Sequence, residues 1–157
     1  MILVLLGTNP YPFTRLVEAV AQHVNTTDEH FIVQSGYTPI DNNKLEVHQF
    51  IEHSKLLKLM TEAEIVITQG GFGSLQDCMR LGVKTVAVPR CKRYGEALDE
   101  QNEIVDALAN EGLIIPLYDT SQFSDALEKA AAMQIKTSNK SELPKHLAST
   151  IKELLSK

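Results

Sequence analysis

The chain has 157 residues, 43% of them hydrophobic, which suffices to bury one sizeable core and is too few for two ordinary domains. Its 15 basic and 20 acidic side chains give a net charge of -5, which argues against a general nucleic-acid binder. No run approaches the roughly 20 apolar residues that a membrane span needs. The apolar opening, Met1 to Leu6, lacks a basic start and therefore predicts a strand and not a signal peptide.

Short apolar strands alternate with helical patterns along the chain. The predicted elements are, in chain order, a strand at 2–6, a helix at 13–24, strands at 31–34 and 45–50, a helix at 56–60, a strand at 63–68, a helix at 74–81, a strand at 84–88, a helix at 99–111, a strand at 113–116 and a helix at 121–133. This alternation predicts a Rossmann-like α/β fold, an open parallel sheet with helices on both faces. We expect one domain over 1–157, with a linker at 136–144 and a C-terminal helix at about 144–156.

A glycine-rich turn follows the fourth predicted strand. Gly70, Gly71 and Gly73 remove Cβ atoms that would keep a phosphate away from the backbone. Ser74 is a good N-cap for the next helix, whose free N–H groups and positive dipole end would face an anion. Asp77, at about the third helical position, lies within reach of a ribose hydroxyl. Together these features indicate a nucleotide site.

The glycines alone also have a purely structural explanation, because any tight strand-to-helix turn can require them. The polar loop at 90–102 favours the ligand interpretation, since it follows the next strand and lies at the same carboxyl edge of the sheet. Open α/β sheets bind their ligands at that edge. Arg90, Lys92 and Arg93 in this loop could steer or hold a diphosphate, although a solvated loop explains them nearly as well.

Cysteines and histidines form no recognisable disulfide or metal pattern. Cys78 and Cys91 make no C-x-x-C pair, which favours a reduced, cytosolic setting, and Cys78 is predicted to pack its helix as a small apolar group. The five histidines lack metal-ligand spacing, so we expect structural or surface roles for them. No metal and no cofactor is therefore predicted.

Six short motifs follow one another in the order found in a known family. They are Gly7-Thr8, Phe13-x-Arg15-Leu16, Val33-Gln34-Ser35-Gly36, Thr68-x-Gly70-Gly71-x-Gly73-Ser74, Val88-Pro89-Arg90 and Tyr94-Gly95-Glu96. With them the chain resembles the glycosyltransferase family 28 C-terminal domain over residues 1 to about 116. It is most similar to small, separately encoded members, the donor-binding subunits of bacterial exopolysaccharide transferases and of the eukaryotic transferase that adds the second GlcNAc to dolichol-linked oligosaccharide. The resemblance implies the C-terminal half of a GT-B fold, binding a UDP-sugar.

Several positions depart from the family's pattern. Relatives usually have His where this chain has Gln69, a small residue or Pro at Phe72, and Glu at Asp77. Relatives also have a His-containing stretch at the positions where this chain has Ala97 and Gln101. Gln69 can donate to a phosphate oxygen but cannot carry a proton, so the sequence supports binding better than turnover.

The resemblance implies a donor site assembled from several loops. Gln101 and Asn102 match the position where the peptidoglycan GlcNAc transferase has a Gln pair facing the donor sugar. The glycine-rich turn and the loop at Gly7, with Arg15 or Arg90, would meet the diphosphate without a metal, since the sequence has no Asp-x-Asp pair. The predicted UDP-sugar contacts are Gly7, Thr8, Arg15, Gln69, Gly70, Gly71, Phe72, Gly73, Ser74, Asp77, Arg90, Gln101 and Asn102. No catalytic residue is assigned.

In the family the base and the acceptor site lie in the other half of the GT-B fold. The resemblance therefore implies a separate acceptor-binding subunit, often membrane-anchored in relatives, which would hold this cytoplasmic chain peripherally at a membrane. The last predicted helix, with four lysines and two glutamates over 140–157, either covers its own sheet or crosses to that partner. Whether the chain forms a homo-oligomer stays open.

Two other classes of function remain as alternatives. The string Gly-Gly-x-Gly-Ser-x-x-Asp is similar to the Gly-Gly-x-Gly-Thr-x-x-Glu motif of nucleoside-monophosphate phosphoribohydrolases, in which the carboxylate acts on the ribose. Those proteins carry a further glycine-rich loop after the first strand, and the segment from Gly7 to Pro10 matches it poorly. The second alternative is a non-catalytic module that binds a nucleotide or only scaffolds a partner.

Overall fold

The structure of the protein, a computed structural model, describes residues 1–135. Its strands are β1 (Ile2–Leu5), β2 (Phe31–Gln34), β3 (Glu46–His48), β4 (Ile65–Gln69), β5 (Thr85–Val88) and β6 (Ile115–Pro116). Its α-helices are α1 (Thr14–His23), α2 (His53–Glu62), α3 (Phe72–Leu81), α4 (Asn102–Asn110) and α5 (Phe123–Ala132). The predicted alternation of strands and helices is confirmed.

All strand pairs are parallel, and the strand order is β3-β2-β1-β4-β5-β6. The four residues of β1 are apolar and buried, as expected for a central strand covered on both faces. Leu16 of α1 and Phe123 of α5 share a core cluster with Val4 on one face of β1. Leu3 packs on the other face with Met60 of α2 and residues of α3. The Rossmann-like sheet with helices on both faces is therefore confirmed.

The strand order reverses at β1, which places a crevice at the carboxyl edge of the sheet. From β1 the chain passes outward to β2 and β3, and it then returns to β4 on the other side of β1. The loops that follow β1 and β4 lead away from each other, which opens the space between them. Ligands of open α/β sheets bind at such switch points. The crevice is consequently the first place to look for a site.

Several predicted boundaries are corrected by the structure. The third strand is limited to three exposed residues, because β3 is an edge strand that no other strand of residues 1–135 covers on its outer side. The sixth strand shortens to Ile115–Pro116, and the helix predicted at 99–111 begins only at Asn102. The first helix spans Thr14–His23, one residue shorter at each end than predicted. The buried N–H of Phe13 donates to Thr38 Oγ1 at 2.9 Å, which fixes the start of the helix.

The start of α3 also differs from the prediction. The helix begins at Phe72 with Gly71 as N-cap, so Ser74 is its third residue and not its cap. Gly71 has an extended backbone, with φ -74° and ψ 137°, and its carbonyl accepts the N–H of Leu75 at 3.2 Å. The helix ends as predicted, with Gly82 in the left-handed conformation after Leu81.

The predicted linker at 136–144 and the helix at about 144–156 lie outside the described residues. The same holds for the two interpretations of the tail and for His146. Within 1–135, no helix is long and apolar enough to cross a membrane.

Candidate functional site

The crevice is lined by the turns that follow β1, β2 and β4. Gly7 follows β1 with φ +79°, and Gly36 follows β2 with φ +57°. A Cβ at Gly36 would lie 2.3 Å from the carbonyl oxygen of Gly7, so both the backbone conformation and the contact require glycine there. Thr8 is exposed at the mouth of the crevice. The predicted Gly7-Thr8 loop thus lies at the switch point.

Gln69, the last residue of β4, extends its side chain across the crevice. Its Oε1 accepts a hydrogen bond from Gln101 Nε2 at 2.7 Å. Its Nε2 lies 3.0 Å from the position that a Cβ on Gly7 would take and 2.2 Å from that of Gly71. The Gln69 amide therefore fills the space between the two turns, and its remaining donor capacity is available inside the crevice.

The three glycines of the glycine-rich turn are not equivalent. A Cβ at Gly70 would lie 2.9 Å from Cβ of Gln101 and 2.9 Å from Cγ2 of Val105, and a Cβ at Gly71 would collide with the Gln69 amide. Internal packing therefore explains Gly70 and Gly71 without a ligand. A Cβ at Gly73 would meet no heavy atom of the described residues within 4 Å. Only Gly73 opens onto space that a ligand could use.

The N-terminal turn of α3 presents backbone donors to this open space. The N–H groups of Phe72, Gly73 and Ser74 belong to the first turn of the helix, where no intrahelical acceptor exists. Among residues 1–135 no side chain caps this turn, and no acidic residue lies in it. Together with the helix dipole, this arrangement suits an anion.

Asp77 lies in the second turn of α3, as its sixth residue, and its side chain is half-buried. Because the helix begins at Phe72 with Gly71 as N-cap, Asp77 lies beyond the first turn and is not in a position to cap the helix. Within residues 1–135 no hydrogen bond or ion pair of the Asp77 carboxylate is found, so the structure gives this side chain no internal function.

Arg15 and Arg90 lie together beneath the loops that follow β5 and β6. Arg15 Nη2 is 3.0 Å from Glu96 Oε1, and Arg15 also donates to the carbonyls of Tyr118 and Pro89 at 2.8 and 3.2 Å. Burial alone would lower the pKa of Arg15, but the hydrogen-bonded Glu96 carboxylate outweighs it and raises that pKa. These contacts hold Arg15 in the loop network and away from a free diphosphate contact.

Arg90 is fully buried, which contradicts its interpretation as part of a solvated loop. Its guanidinium donates to three backbone carbonyls, so it has no exposed group with which to grip a diphosphate. Burial lowers the pKa of Arg90 to about 10, an effect that Glu96 partly opposes, and the side chain therefore remains charged at neutral pH. Lys92 and Arg93 of the same loop are exposed, as a solvated loop requires.

Gln101 and Asn102 form the start of α4, on the β4–β5 side of the crevice. Gln101 is the N-cap residue, and its Oε1 accepts the backbone N–H of Arg90 at 2.9 Å. Asn102 Oδ1 is buried and has no partner among the described residues. A buried amide oxygen without a donor is costly, so this atom is a candidate acceptor for a hydroxyl group.

Sequence reasoning missed two features of this region. Glu96 is buried, and its carboxylate joins Arg15 to the loop after β5. Apart from the family resemblance, nothing in the motif Tyr94-Gly95-Glu96 indicates that this side chain is buried. Tyr37 and Phe50 follow β2 and β3, are 54% and 49% exposed, and stack edge to face with ring centroids 5.4 Å apart. The sequence signal that could have indicated this aromatic pair is the position of the two residues after neighbouring parallel strands.

The predicted packing role of Cys78 is confirmed. Its side chain is fully buried against Leu3 and Val66, and burial raises the pKa of its thiol to about 12. Both Cys78 and Cys91 are buried free thiols.

Comparison with known proteins adds a family and a set of similar folds. The family model described as Glycosyltransferase family 28 C-terminal domain matches residues 1–157. No curated protein sequence matches the chain. The expected fold, the C-terminal half of GT-B glycosyltransferases, is confirmed by the solved structures.

Three solved structures illustrate the similarity. The glycotransferase of kitacinnamycin has a TM-score of 0.65 and 17% identity, over 98% of this chain and 37% of that chain. UDP-GlcNAc 2-epimerase from Methanocaldococcus jannaschii, in complex with UDP-GlcNAc and UDP, has a TM-score of 0.65 and 16% identity, over 99% of this chain and 45% of that chain. MurG from Acinetobacter baumannii has a TM-score of 0.58 and 20% identity, over 97% of this chain and 49% of that chain. This chain thus spans less than half of each protein, and the likeness is one of fold.

Proposed function

This chain belongs to the glycosyltransferase family 28 C-terminal domain family, and from that premise we propose that it is the donor-binding part of a UDP-sugar-dependent glycosyltransferase. The observation that carries the proposal is the open, uncapped N-terminus of α3 beside Gly73, at the switch point of a Rossmann-like sheet. The transferred sugar would be a hexose or N-acetylhexosamine, and its acceptor a lipid-linked glycan or a polysaccharide.

The diphosphate of the donor would lie over the first turn of α3. The N–H groups of Phe72, Gly73 and Ser74 would donate to its oxygens, and the helix dipole would favour its charge. The free donor of Gln69 and the turn at Gly7 and Thr8 would complete the contact from the β1 side. Donors fixed in this way stabilise the departing UDP when the glycosidic bond breaks.

The nucleoside and the sugar would occupy the two ends of the crevice. Asp77 would accept hydrogen bonds from the ribose hydroxyls, one helical turn beyond the diphosphate. The exposed rings of Tyr37 and Phe50, next to Gly36, offer an apolar face on which a flat base can stack. Gln101 and the unpartnered Oδ1 of Asn102 would hydrogen-bond the sugar hydroxyls.

Transfer also needs a base and an acceptor site, and we propose that a separate, membrane-associated polypeptide supplies both. Gln69, on the crevice wall, cannot accept and carry a proton as a histidine would. This supports donor binding by this chain and deprotonation of the acceptor by the partner. The domain would then act in the cytoplasm, held at the membrane through its partner.

Titration calorimetry of the purified chain with UDP, UDP-GlcNAc, UDP-glucose and AMP tests the proposal. We expect UDP and at least one UDP-sugar to bind and AMP not to bind. Sugar transfer by the chain alone should be poor or absent, and strong transfer with stoichiometric release of UDP would contradict the need for a partner. No binding of UDP would contradict the proposal as a whole.

The two alternatives make different predictions in the same experiment. A phosphoribohydrolase would hydrolyse AMP, and a scaffold module would bind none of the four ligands. The family assignment and the absence of a second glycine-rich phosphate loop after β1 both favour the transferase.

A further inference from the structure

Arg90 connects to both ends of the loop that follows β1, although it lies in the loop after β5. Its Nη1 donates to the carbonyls of Tyr11 and Glu96, each at 2.7 Å, and its Nη2 donates to the carbonyl of Leu6. Leu6 and Tyr11 flank the turn that contains Gly7 and Thr8. One buried guanidinium therefore fixes the entry and the exit of this turn.

The main chain of Arg90 holds the opposite wall of the crevice. Its N–H donates to Gln101 Oε1 at 2.9 Å, and Gln101 Nε2 donates to Gln69 Oε1 at 2.7 Å. The Gln69 amide then lies against Gly7 and Gly71. Two chains of contacts, one through the side chain of Arg90 and one through its backbone, thus converge on the same turn.

From this geometry we infer that Arg90 is a positioning residue for the donor diphosphate. It presets the turn at Gly7 and the amide of Gln69 without touching the ligand, and the inference rests on the proposed function. The planar guanidinium suits this task because it presents several donors in a fixed arrangement, whereas a lysine has a single nitrogen on a flexible stem. The guanidinium carbon lies 4.7 Å from the centroid of the Phe13 ring, which further restricts its orientation.

The substitution Arg90→Lys distinguishes the role of the fixed hydrogen-bond donors from the role of the positive charge, because it keeps the charge and removes the fixed donors. We expect the affinity for UDP to fall about tenfold, as for the loss of one charge-assisted hydrogen bond, while the affinity for uridine, which lacks the diphosphate, is unchanged. The matched control is Arg93→Lys, three positions further along the loop, where the side chain is exposed and lies over the ring of Tyr94. The control should bind both ligands as the wild type does.

Three results distinguish the explanations. Unchanged UDP affinity in Arg90→Lys would overturn the inference and leave the proposed function intact. Equal losses for UDP and uridine would also overturn it, because they would show that Arg90 only supports the fold. A wild-type protein that binds no UDP would contradict the proposed function itself.

A measurement on the wild type covers the case in which Arg90→Lys does not fold. The chain has four arginines, at positions 15, 80, 90 and 93, so the side-chain N–H signals of Arg90 in ¹⁵N-arginine-labelled protein can be assigned by elimination with the variants Arg15→Lys, Arg80→Lys and Arg93→Lys. We expect the Arg90 signals to exchange slowly with water in the free protein and to keep their positions when UDP saturates the site. Fast exchange, or a large shift caused by a direct phosphate contact, would overturn the inference.

Discussion

Replacing Gly73 by alanine should stabilise the free protein and weaken its binding of UDP. Gly73 is the second residue of α3, and its φ lies outside the positive range, so alanine fits its backbone. Within the part of the chain that the structure describes, the added Cβ meets no atom within 4 Å, so no described contact is lost. A glycine-to-alanine change at such a site raises the free energy of unfolding by about 0.4 to 1 kcal/mol. For a chain of this size the melting temperature should rise by about 1 to 4 °C.

The loss of UDP affinity follows from the same open space. If the diphosphate lies over the first turn of α3, the new methyl group enters the volume that the ligand occupies. Overpacking of this kind costs about 1 to 3 kcal/mol, which corresponds to roughly 5- to 150-fold in the dissociation constant. Differential scanning calorimetry and isothermal titration calorimetry measure the two effects on one preparation.

The substitution Gly71→Ala provides the contrast. Its Cβ would lie 2.2 Å from Gln69 Nε2, so the amide must move and its 2.7 Å hydrogen bond with Gln101 is strained or lost. This variant should gain no stability and should also bind UDP more weakly. If Gly73→Ala melts at a higher temperature and binds UDP as the wild type does, the diphosphate does not lie at the N-terminus of α3. If its melting temperature falls, the space beside Gly73 is not open.

Two further predictions address single side chains. Asp77→Asn should leave the melting temperature unchanged, because the described residues give the carboxylate no partner, and should lower UDP affinity by about one to two orders of magnitude through the loss of a charge-assisted bond of roughly 1.5 to 3 kcal/mol. Deoxyuridine diphosphate should bind the wild type with a similarly reduced affinity, and Asp77→Asn should lower that affinity little further. A lower melting temperature with unchanged UDP affinity would contradict the ribose contact. Tyr118 donates a hydrogen bond to Asp106, and burial together with this carboxylate raises the pKa of the phenol from 10.0 to about 12. Because the folded state favours the neutral phenol, this stabilisation is present below pH 10 and is lost as the pH rises through about 12; an absorbance titration should show a tyrosine ionising near pH 12 that disappears in Tyr118→Phe, and persistence of that step would refute the assignment.

The central strands of the sheet could be predicted from the sequence because burial on both faces imposes a strong pattern. The run Phe31–Gln34 was placed correctly, and β5 was placed to within one residue, since each is a short apolar segment ended by turn residues. Edge strand β3 was predicted too long, because alternation of residue types continues to Phe50 whereas the ladder with β2 ends at His48. Local pattern therefore predicted the interior of the sheet better than its rim.

The start of α3 shows how local propensity can mislead at a site. Serine is a preferred N-cap, and Ser74 stood in a suitable position. The helix begins two residues before it because the tight packing of Gly70 against Gln101 and Val105 sets the path of the turn. This contact joins segments more than thirty positions apart in sequence, and no local pattern reports it. The shift places Asp77 in the second turn of the helix and not near its third position.

Arg90 illustrates the same limit for charged residues. In the sequence it stands with Lys92 and Arg93 in a polar loop, where a solvated side chain is the natural expectation. In the structure three backbone carbonyls from two separate loops accept hydrogen bonds from its two Nη atoms, which offsets the burial of the charge, while its Nε is buried without a partner among the described residues. Those acceptors belong to the backbone, so the identities of Leu6, Tyr11 and Glu96 carry no signal that they would surround an arginine.

The reason for each glycine in the turn at 70–73 depends on the residues that surround it in the structure. A glycine-rich turn before a helix is usually interpreted as room for a phosphate, but here Gly70 is required by Gln101 and Val105, and Gly71 by the Gln69 amide. Protein contacts alone would keep both glycines even in a domain that binds nothing. Gly73 differs, because no described residue needs its missing side chain and alanine there would favour the helix. The proposed diphosphate contact at this turn therefore rests on Gly73, which serves no internal contact among the described residues, and not on the motif as a whole.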